Sequence, residues 1–181
     1  TGLLAALMAV DVRRREVVLP AFTCGTTVTS AVLQAGGTPV FVDVDPATFN
    51  LDIGELEGKL ADRTAAVISH HYFGFACSNL DAVNRLCERC GVSHIEDCAH
   101  SLGAEWNGTV VGSWGRIAVF SFSKAMPNPG GGCVATGDER LRDQIEERFG
   151  RCTRLDAAVK NYHAFTYLSR LRADMQEKTD L

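Results

Sequence analysis

The chain has 181 residues, of which 46% are hydrophobic and 22% are charged, as in an ordinary globular domain with a sizeable core, so wholesale disorder is excluded. The net charge of −4 gives no electrostatic reason to expect binding to nucleic acid or to a membrane surface. No apolar stretch approaches the length that spans a bilayer, and the opening TGLLAALMAV lacks the basic leader of a signal peptide.

Short strands and helices alternate along the chain. Helices are predicted at 2–10, 26–35, 53–60, 80–90 and 139–149, and strands at 16–19, 39–44, 65–69, 92–95, 117–121 and 133–136. This alternation predicts an α/β fold, a three-layer sandwich in which helices cover both faces of a mainly parallel mixed sheet. The helix at 80–90 places one apolar face toward the core, made of Leu80, Val83, Leu86, Cys87 and Cys90.

The two ends of the chain are unusual for such a domain. The chain opens within a predicted helix, without room for a capped start. We expect 1–150 to be a large domain that is truncated at its N-terminus. We expect 151–181 to be a C-terminal helical segment, either docked or frayed, with a further small domain missing.

Seven cysteines are spaced irregularly along the chain. An odd number without regular spacing argues against a disulfide framework and favours a reducing cytoplasm. Cys87 and Cys90 have the spacing of a metal-ligand pair, but a zinc site needs more ligands than this pair supplies. We therefore expect a cytoplasmic protein with no metal.

The segment VFSFSKAMPNPGGG at 119–132 places Lys124 at the end of an apolar run. Burial lowers the pKa of a lysine, and a neutral amine is a nucleophile toward carbonyl groups. Ser121 could donate a hydrogen bond to a phosphate, and the glycines at 130–132 let the backbone approach a ligand closely. Taken alone, the segment slightly favours a strand end with an exposed lysine.

The segment SHIEDCAHS at 93–101 ends a short apolar strand in two acids, Glu96 and Asp97, followed by His100. Acids at the C-terminal end of a buried strand lie where open α/β sheets bind their ligands. A carboxylate there can hold a proton on a ring nitrogen, which pyridoxal phosphate (PLP) requires as an electron sink. Taken alone, the two acids are more simply explained as caps of the next segment, and His100 as a partly buried histidine with its hydrogen bonds satisfied. Taken together with Lys124, the three residues favour a ligand-binding site.

Five segments of the chain, in this order, resemble the DegT-type nucleotide-sugar aminotransferases, which are PLP enzymes of fold type I. The resemblance covers about residues 1–151, and its segments are LPAFTCGTT at 19–27, TPVFVDVDPATFNLD at 38–52, HYFG at 71–74, EDCAHSLGAEWNG at 96–108 and FSFSK with GGG at 120–132. Their order and spacing together are more specific than any single segment.

The resemblance implies a catalytic role for two residues. Lys124 resembles the lysine that binds PLP covalently and then moves a proton, and Asp97 resembles the partner of the pyridinium nitrogen. His100 lies at the position that contacts the ring hydroxyl of the cofactor, where relatives often have glutamine.

Further cofactor contacts are also implied by the resemblance. Ser121 resembles the phosphate-binding serine, but only one residue separates Phe122 from Lys124, so Ser123 is an alternative. Thr1 and Gly2 resemble the end of a phosphate-binding turn at a helix start. Cys24 lies where relatives often stack an aromatic ring on the cofactor.

The implied function is PLP-dependent transfer of an amino group from glutamate to a keto group on a nucleotide-linked sugar, within a homodimer. A sister group that dehydrates sugars replaces the lysine with histidine, so Lys124 favours transamination. The alternative is a truncated fragment or pseudoenzyme that acts as a non-catalytic cofactor-binding or dimerisation module. We expect the isolated 181 residues to be weakly active or inactive.

A metal-dependent hydrolase is a third interpretation, with ligands drawn from His70, His71, His94, Asp97 and His100. It is disfavoured because the helical pair of zinc-binding histidines is missing. Adjacent His70 and His71 would also point to opposite faces of an extended segment.

Overall fold

The computed structural model describes residues 2–125 and 131–149. The predictions for Thr1 and for the segment 151–181 lie outside these described residues. The helices are α1 (Gly2–Ala9), α2 (Ser30–Gln34), α3 (Ile53–Lys59), α4 (Leu80–Cys90), α5 (Phe122–Ala125) and α6 (Glu139–Phe149). The strands are β1 (Glu16–Pro20), β2 (Thr38–Val42), β3 (Thr64–His70), β4 (Ser93–Asp97), β5 (Glu105–Trp106), β6 (Thr109–Val110), β7 (Ile117–Ser121) and β8 (Gly132–Ala135).

The main sheet has six strands in the order β2-β1-β3-β4-β7-β8. The first five strands in this order run parallel, and β8 is antiparallel to β7. The predicted mainly parallel mixed sheet is therefore confirmed. The register pairs His70 with Asp97 and Asp97 with Val119, so the carboxyl ends of β3 and β4 lie side by side.

Helices cover both faces of this sheet because alternate strand residues point to opposite sides. On one side, Leu19 belongs to a buried apolar cluster with Leu7 of α1. On the other side, Val18 belongs to a second cluster with Leu56 of α3 and Val83 of α4. Each of these side chains is fully buried, and burial of such a side chain contributes about 1.5–3 kcal/mol to folding.

The predicted helix at 26–35 differs from the observed structure at both ends. A π-helical turn at Gly25–Thr29 leads into α2, which ends at Gln34. Strand β2 ends at Val42 rather than Val44, because Val44 instead forms an antiparallel bridge with Leu51.

The prediction that Cys90 is buried with the apolar face of α4 is wrong, because Cys90 is exposed. Gly91 caps the C-terminus of α4 directly after Cys90, and it has the left-handed conformation that favours glycine (φ 65°). The chain then turns back, and Val92 rather than Cys90 completes the buried cluster. Sequence analysis also missed the short hairpin of β5 and β6.

Within residues 2–125 and 131–149, no helix combines the length and the apolar character needed to cross a lipid bilayer.

Candidate active site at the carboxyl edge of the sheet

A cavity of about 970 Å³ lies at the carboxyl ends of β3, β4 and β7. Several residues predicted for the site line this cavity together, namely Gly2, Cys24, Asp97, His100, Ser121 and Lys124. Residues far apart in the sequence meet here because the carboxyl ends of parallel strands share one edge of the sheet. The cavity is therefore the candidate active site.

Lys124 lies on the short helix α5, immediately after β7. Its Nζ is 3.0 Å from Nε2 of His100, within hydrogen-bonding distance. Lys124 is exposed, in agreement with the interpretation of this segment as a strand end with an exposed lysine. Strand β7 ends at Ser121, and α5 carries the lysine out of the sheet toward the cavity.

Asp97 is the last residue of β4, and its side chain is 15% exposed. One carboxylate oxygen lies 3.1 Å from Nδ1 of His70, and the other accepts a hydrogen bond of 3.1 Å from the Ala99 amide. Burial by itself would raise the pKa of Asp97. The hydrogen bond and charge of His70 lower it, as do the Ala99 amide and the charge of Lys124, and the resulting pKa lies below its ordinary value. Asp97 is therefore an ionised carboxylate at neutral pH.

His100 lies between Lys124 and an exposed aromatic ring. The rings of His100 and Phe73 are stacked, with centroids 5.9 Å apart and an angle of 18° between their planes. Partial burial and the nearby charge of Lys124 lower the pKa of His100 below its ordinary value. The imidazole is therefore a neutral hydrogen-bonding group at the position predicted to contact a cofactor.

The structure favours Ser121 over Ser123 as a residue that faces a ligand, because Ser121 lines the cavity and Ser123 is not among its lining residues. The two hydroxyl oxygens are 3.2 Å apart. Gly2 packs closely against β7, since a Cβ atom there would lie 3.1 Å from Cγ1 of Val119. The cofactor roles of these residues remain predictions.

Cys24 lies at the cavity, immediately before the π-helical turn. Its Sγ is 3.4 Å from the hydroxyl oxygen of Thr26. Hydrogen bonds from the Thr26 and Thr27 side chains lower the pKa of this exposed thiol to about 7. Cys24 is thus partly a thiolate at neutral pH, which differs in charge from the aromatic ring that relatives often place here.

Sequence analysis missed His70 as a cavity residue and considered it only as a metal ligand. His70 is 7% exposed, and its Nε2 lies 2.8 Å from the hydroxyl oxygen of Thr23. The adjacent His71 points away from it and contacts Glu96, as expected for neighbours in an extended segment. The sequence feature that could have indicated this contact is the pair of adjacent histidines, His70 and His71, at the end of one strand. The pair of adjacent acids, Glu96 and Asp97, lies at the end of the neighbouring strand.

Glu96 is fully buried on the side of the sheet opposite Asp97. One of its carboxylate oxygens accepts hydrogen bonds from His71 Nε2 at 3.1 Å and from the Gly112 amide at 2.8 Å. The other accepts from the Trp114 and Gly115 amides at 2.8 and 2.6 Å. Burial raises the pKa of Glu96, but these hydrogen bonds outweigh it and keep the pKa low. Glu96 therefore anchors the loop before β7 to β4.

The histidines of the metal-hydrolase interpretation are spread over several contacts. His94 is paired with Ser69, with 2.8 Å between Nε2 and Oγ, and His71 is paired with Glu96. His70, His71 and His100 all line the cavity. Ligand atoms of His71, Glu96 and Cys98 do lie within 4.8 Å of one another. The ligand atoms of His71 and Glu96 already make hydrogen bonds within the protein. Burial raises the pKa of the Cys98 thiol, which disfavours the thiolate that would bind a metal.

The fold and the cavity define an α/β enzyme domain in which a lysine and an ionised carboxylate face the same ligand space. The chain belongs to the DegT/DnrJ/EryC1/StrS aminotransferase family, whose model matches residues 1–171.

Two relatives and one solved structure illustrate this membership. The chain is 39% identical over 176 residues to the UDP-N-acetyl-3-dehydro-alpha-D-glucosamine 3-aminotransferase of Acidithiobacillus ferrooxidans, covering 94% of this chain and 46% of the relative. It is 38% identical over 144 residues to the GDP-perosamine synthase of Caulobacter vibrioides, covering 78% of this chain and 38% of the relative. The X-ray structure of the aminotransferase from Psychrobacter cryohalolentis superposes with a TM-score of 0.74 and 36% identity, covering 79% of this chain and 37% of that one.

The chain therefore spans less than half the length of each of these three relatives.

Proposed function

We propose that this chain supplies the PLP-binding site of an aminotransferase that acts on a keto group of a nucleotide-linked sugar. The observation that carries the proposal is that Lys124 and Asp97 line one cavity of about 970 Å³ in a member of this aminotransferase family. A lysine amine and a carboxylate are the two groups that a PLP site needs on opposite sides of the cofactor ring.

The residues around the cavity fit the chemistry of the cofactor. Lys124 offers an amine for the aldehyde carbon, Asp97 offers an ionised carboxylate for the protonated ring nitrogen, and Ser121 offers a hydroxyl for the phosphate. PLP, when bound, supplies the electron sink that stabilises a carbanion at the reacting carbon. His100, Cys24 and the Gly2 backbone are further contacts in this proposal, and no metal takes part.

Asp97 and Lys124 would have different roles in the site: Asp97 would stabilise a positive charge, and Lys124 would transfer a proton. Asp97 would accept a hydrogen bond from the protonated ring nitrogen and so would keep the proton there. The Lys124 amine would hold the cofactor and would then carry a proton at Nζ. The neutral His100 imidazole, 3.0 Å from Nζ, keeps the amine oriented.

The names of the relatives support the choice of substrate. One is named for a UDP-linked 3-dehydro sugar and another for the synthesis of GDP-perosamine. We propose a nucleotide-linked keto sugar as amino acceptor and glutamate as amino donor. We also propose that the protein is cytoplasmic and acts as a homodimer, and that the isolated 181 residues transfer amino groups weakly or not at all.

The replacement Lys124→Ala tests the proposal. Purified protein mixed with PLP is expected to show the visible absorption band of a covalently bound cofactor, which borohydride reduction fixes to the protein. Lys124→Ala should lose both the band and the fixed label, because no other residue would supply the amine. Lys59→Ala is the matched control, since this exposed lysine ends α3 and does not line the cavity. A band that survives in Lys124→Ala would remove this lysine from the proposed role.

A further inference from the structure

The side chains of Thr23, His70 and Asp97 form a continuous hydrogen-bonded chain that ends at the cavity. The hydroxyl oxygen of Thr23 lies 2.8 Å from His70 Nε2, and His70 Nδ1 lies 3.1 Å from a carboxylate oxygen of Asp97. We propose that His70 is the positioning residue for Asp97 and that Thr23 holds His70 in place. This inference rests on the proposed function, because Asp97 is the residue assigned to the cofactor ring nitrogen.

The chemistry of the three groups fixes where the protons lie. An ionised carboxylate only accepts hydrogen bonds, so the proton between His70 and Asp97 belongs to Nδ1 of the histidine. While the ring is neutral, Nε2 is an acceptor and the Thr23 hydroxyl donates to it; when the ring is protonated, Nε2 donates to the same hydroxyl and Nδ1 still donates to Asp97. Thr23 thereby selects the tautomer of His70 that presents a donor to Asp97.

The backbone leaves His70 little freedom to turn away. His70 ends β3 and is paired in register with Asp97 on β4. The next residue, His71, is fixed on the opposite face of the sheet by its hydrogen bond to the buried Glu96. His71 follows β3 directly and is itself extended, and neighbouring residues of an extended segment alternate in direction. Anchoring the His71 ring at Glu96 therefore holds the His70 ring toward Asp97.

The consequence for Asp97 is a defined orientation and charge. Its two oxygens accept separately, from His70 and from the Ala99 amide, so the carboxylate plane is fixed. The other titratable groups that interact with it electrostatically are Lys124, His100, Tyr72 and Cys98. Without His70, a largely buried carboxylate would keep its desolvation but lose its main stabilising partner, and its pKa would rise. Asp97 would then compete with the ring nitrogen for the proton.

The first experiment needs no cofactor. The carboxyl carbon of Asp97 is followed by NMR during an acid titration of the full 181-residue chain, in the wild type and in His70→Leu. We expect the titration midpoint of Asp97 to rise in His70→Leu and to rise less in Thr23→Val. His70→Asn restores a donor near the Nδ1 position, so its midpoint should return toward the wild-type value. An Asp97 midpoint that is the same in all four proteins overturns the proposal.

The second experiment uses PLP whose ring nitrogen carries an NMR-visible isotope. The nitrogen signal is expected to report a protonated ring in the wild type and a shift toward the unprotonated form in His70→Leu. The affinity for PLP should fall about tenfold, as expected when a charge-assisted hydrogen bond is removed. His94→Gln is the matched control, because His94 is also buried at the sheet but does not line the cavity. This control should lower thermal stability while leaving the nitrogen signal unchanged.

The two experiments separate failure of this inference from failure of the proposed function. A wild-type chain that binds no PLP contradicts the proposed function, while the cofactor-free titration still decides whether His70 controls Asp97. A wild-type chain that binds PLP through Lys124, with an unchanged nitrogen signal in His70→Leu, overturns the positioning role alone. If His70→Leu does not fold, Thr23→Val gives the comparison: its Asp97 midpoint should still lie above those of the wild type and His70→Asn, and equal midpoints in these three proteins overturn the proposal.

Discussion

The buried side chain of His94 is held neutral chiefly by its burial, and both of its ring nitrogens have hydrogen-bonding partners. His94 is 2% exposed, and its Nε2 lies 2.8 Å from the hydroxyl oxygen of Ser69. Its Nδ1 lies 3.3 Å from the side-chain oxygen of Asn84, which can only accept, so Nδ1 carries the proton. Burial lowers the pKa of His94 to about 4, partly opposed by the negative charge of Glu96.

This shift predicts a pH dependence of folding stability. His94 takes up a proton near pH 6.5 when unfolded but only near pH 4 when folded. The unfolded state therefore binds more protons in this window, and the free energy of unfolding falls as the pH drops through it. The fall contributed by His94 is at most about 1.4 kcal/mol per pH unit. Urea denaturation at several pH values measures it, and His94→Gln should show a shallower dependence. An equally steep dependence in this variant would contradict the assignment.

At the scale of elements, the antiparallel pair of β7 and β8 positions the lysine helix α5. Gly132 of β8 is paired with Ser121 of β7, which is the residue directly before α5. A Cβ atom at Gly132 would contact the carbonyl oxygen of Phe120 far inside the normal separation. Because that atom belongs to the backbone of β7, it cannot move without separating the two strands.

We therefore expect Gly132→Ala to destabilise the protein by about 2 kcal/mol, the usual cost of inserting a methyl group into a closely packed position. The same change should weaken PLP binding, because Ser121 and Lys124 follow the displaced strand. Thermal and urea denaturation measure the stability. Gly58→Ala is the control, since it lies in α3 with open space around it and should be neutral or slightly stabilising. Equal stability of the two variants would refute the close contact.

At the scale of the whole molecule, an aromatic surface extends outward from the cavity. Phe22 packs against Phe49 and Tyr72 with ring centroids 5.2 Å apart in each pair. Phe73 continues this surface, with its ring centroid 6.0 Å from that of Tyr72, and is 68% exposed. Phe75, two residues further along the chain, is 77% exposed. Contiguous exposed aromatic rings are typical of protein interfaces, where they supply most of the binding energy. This surface supports the proposed homodimer.

The proposed homodimer predicts a specific effect of mutations on this surface. We expect the chain to dimerise in sedimentation experiments, and Phe73→Ser with Phe75→Ser to weaken the dimer at least about tenfold, as for an interface hot spot. The matched control is Leu33→Ser on α2, where the side chain is 59% exposed but lies outside the aromatic surface. Equal dimerisation of the wild type and the double variant would place the interface elsewhere.

The sequence by itself determined the layered α/β fold, because local periodicity records which side of each element is buried. The bounds of α4, α6 and β7 agree with the prediction to the residue. It also placed Asp97 and Lys124 near one another, since both follow strands whose carboxyl ends share an edge.

Only the tertiary structure decided which polar groups meet. Thr23 and His70 are separated by 47 residues, and Glu96 accepts from amides 16–19 residues later. Such contacts leave no periodic pattern in the sequence, because they depend on strand order, register and the path of loops. The same reason explains why the sequence failed to predict the contact between His70 and Asp97. Local composition records burial of an element, whereas the partners of a buried charge are set by residues that folding brings from elsewhere in the chain.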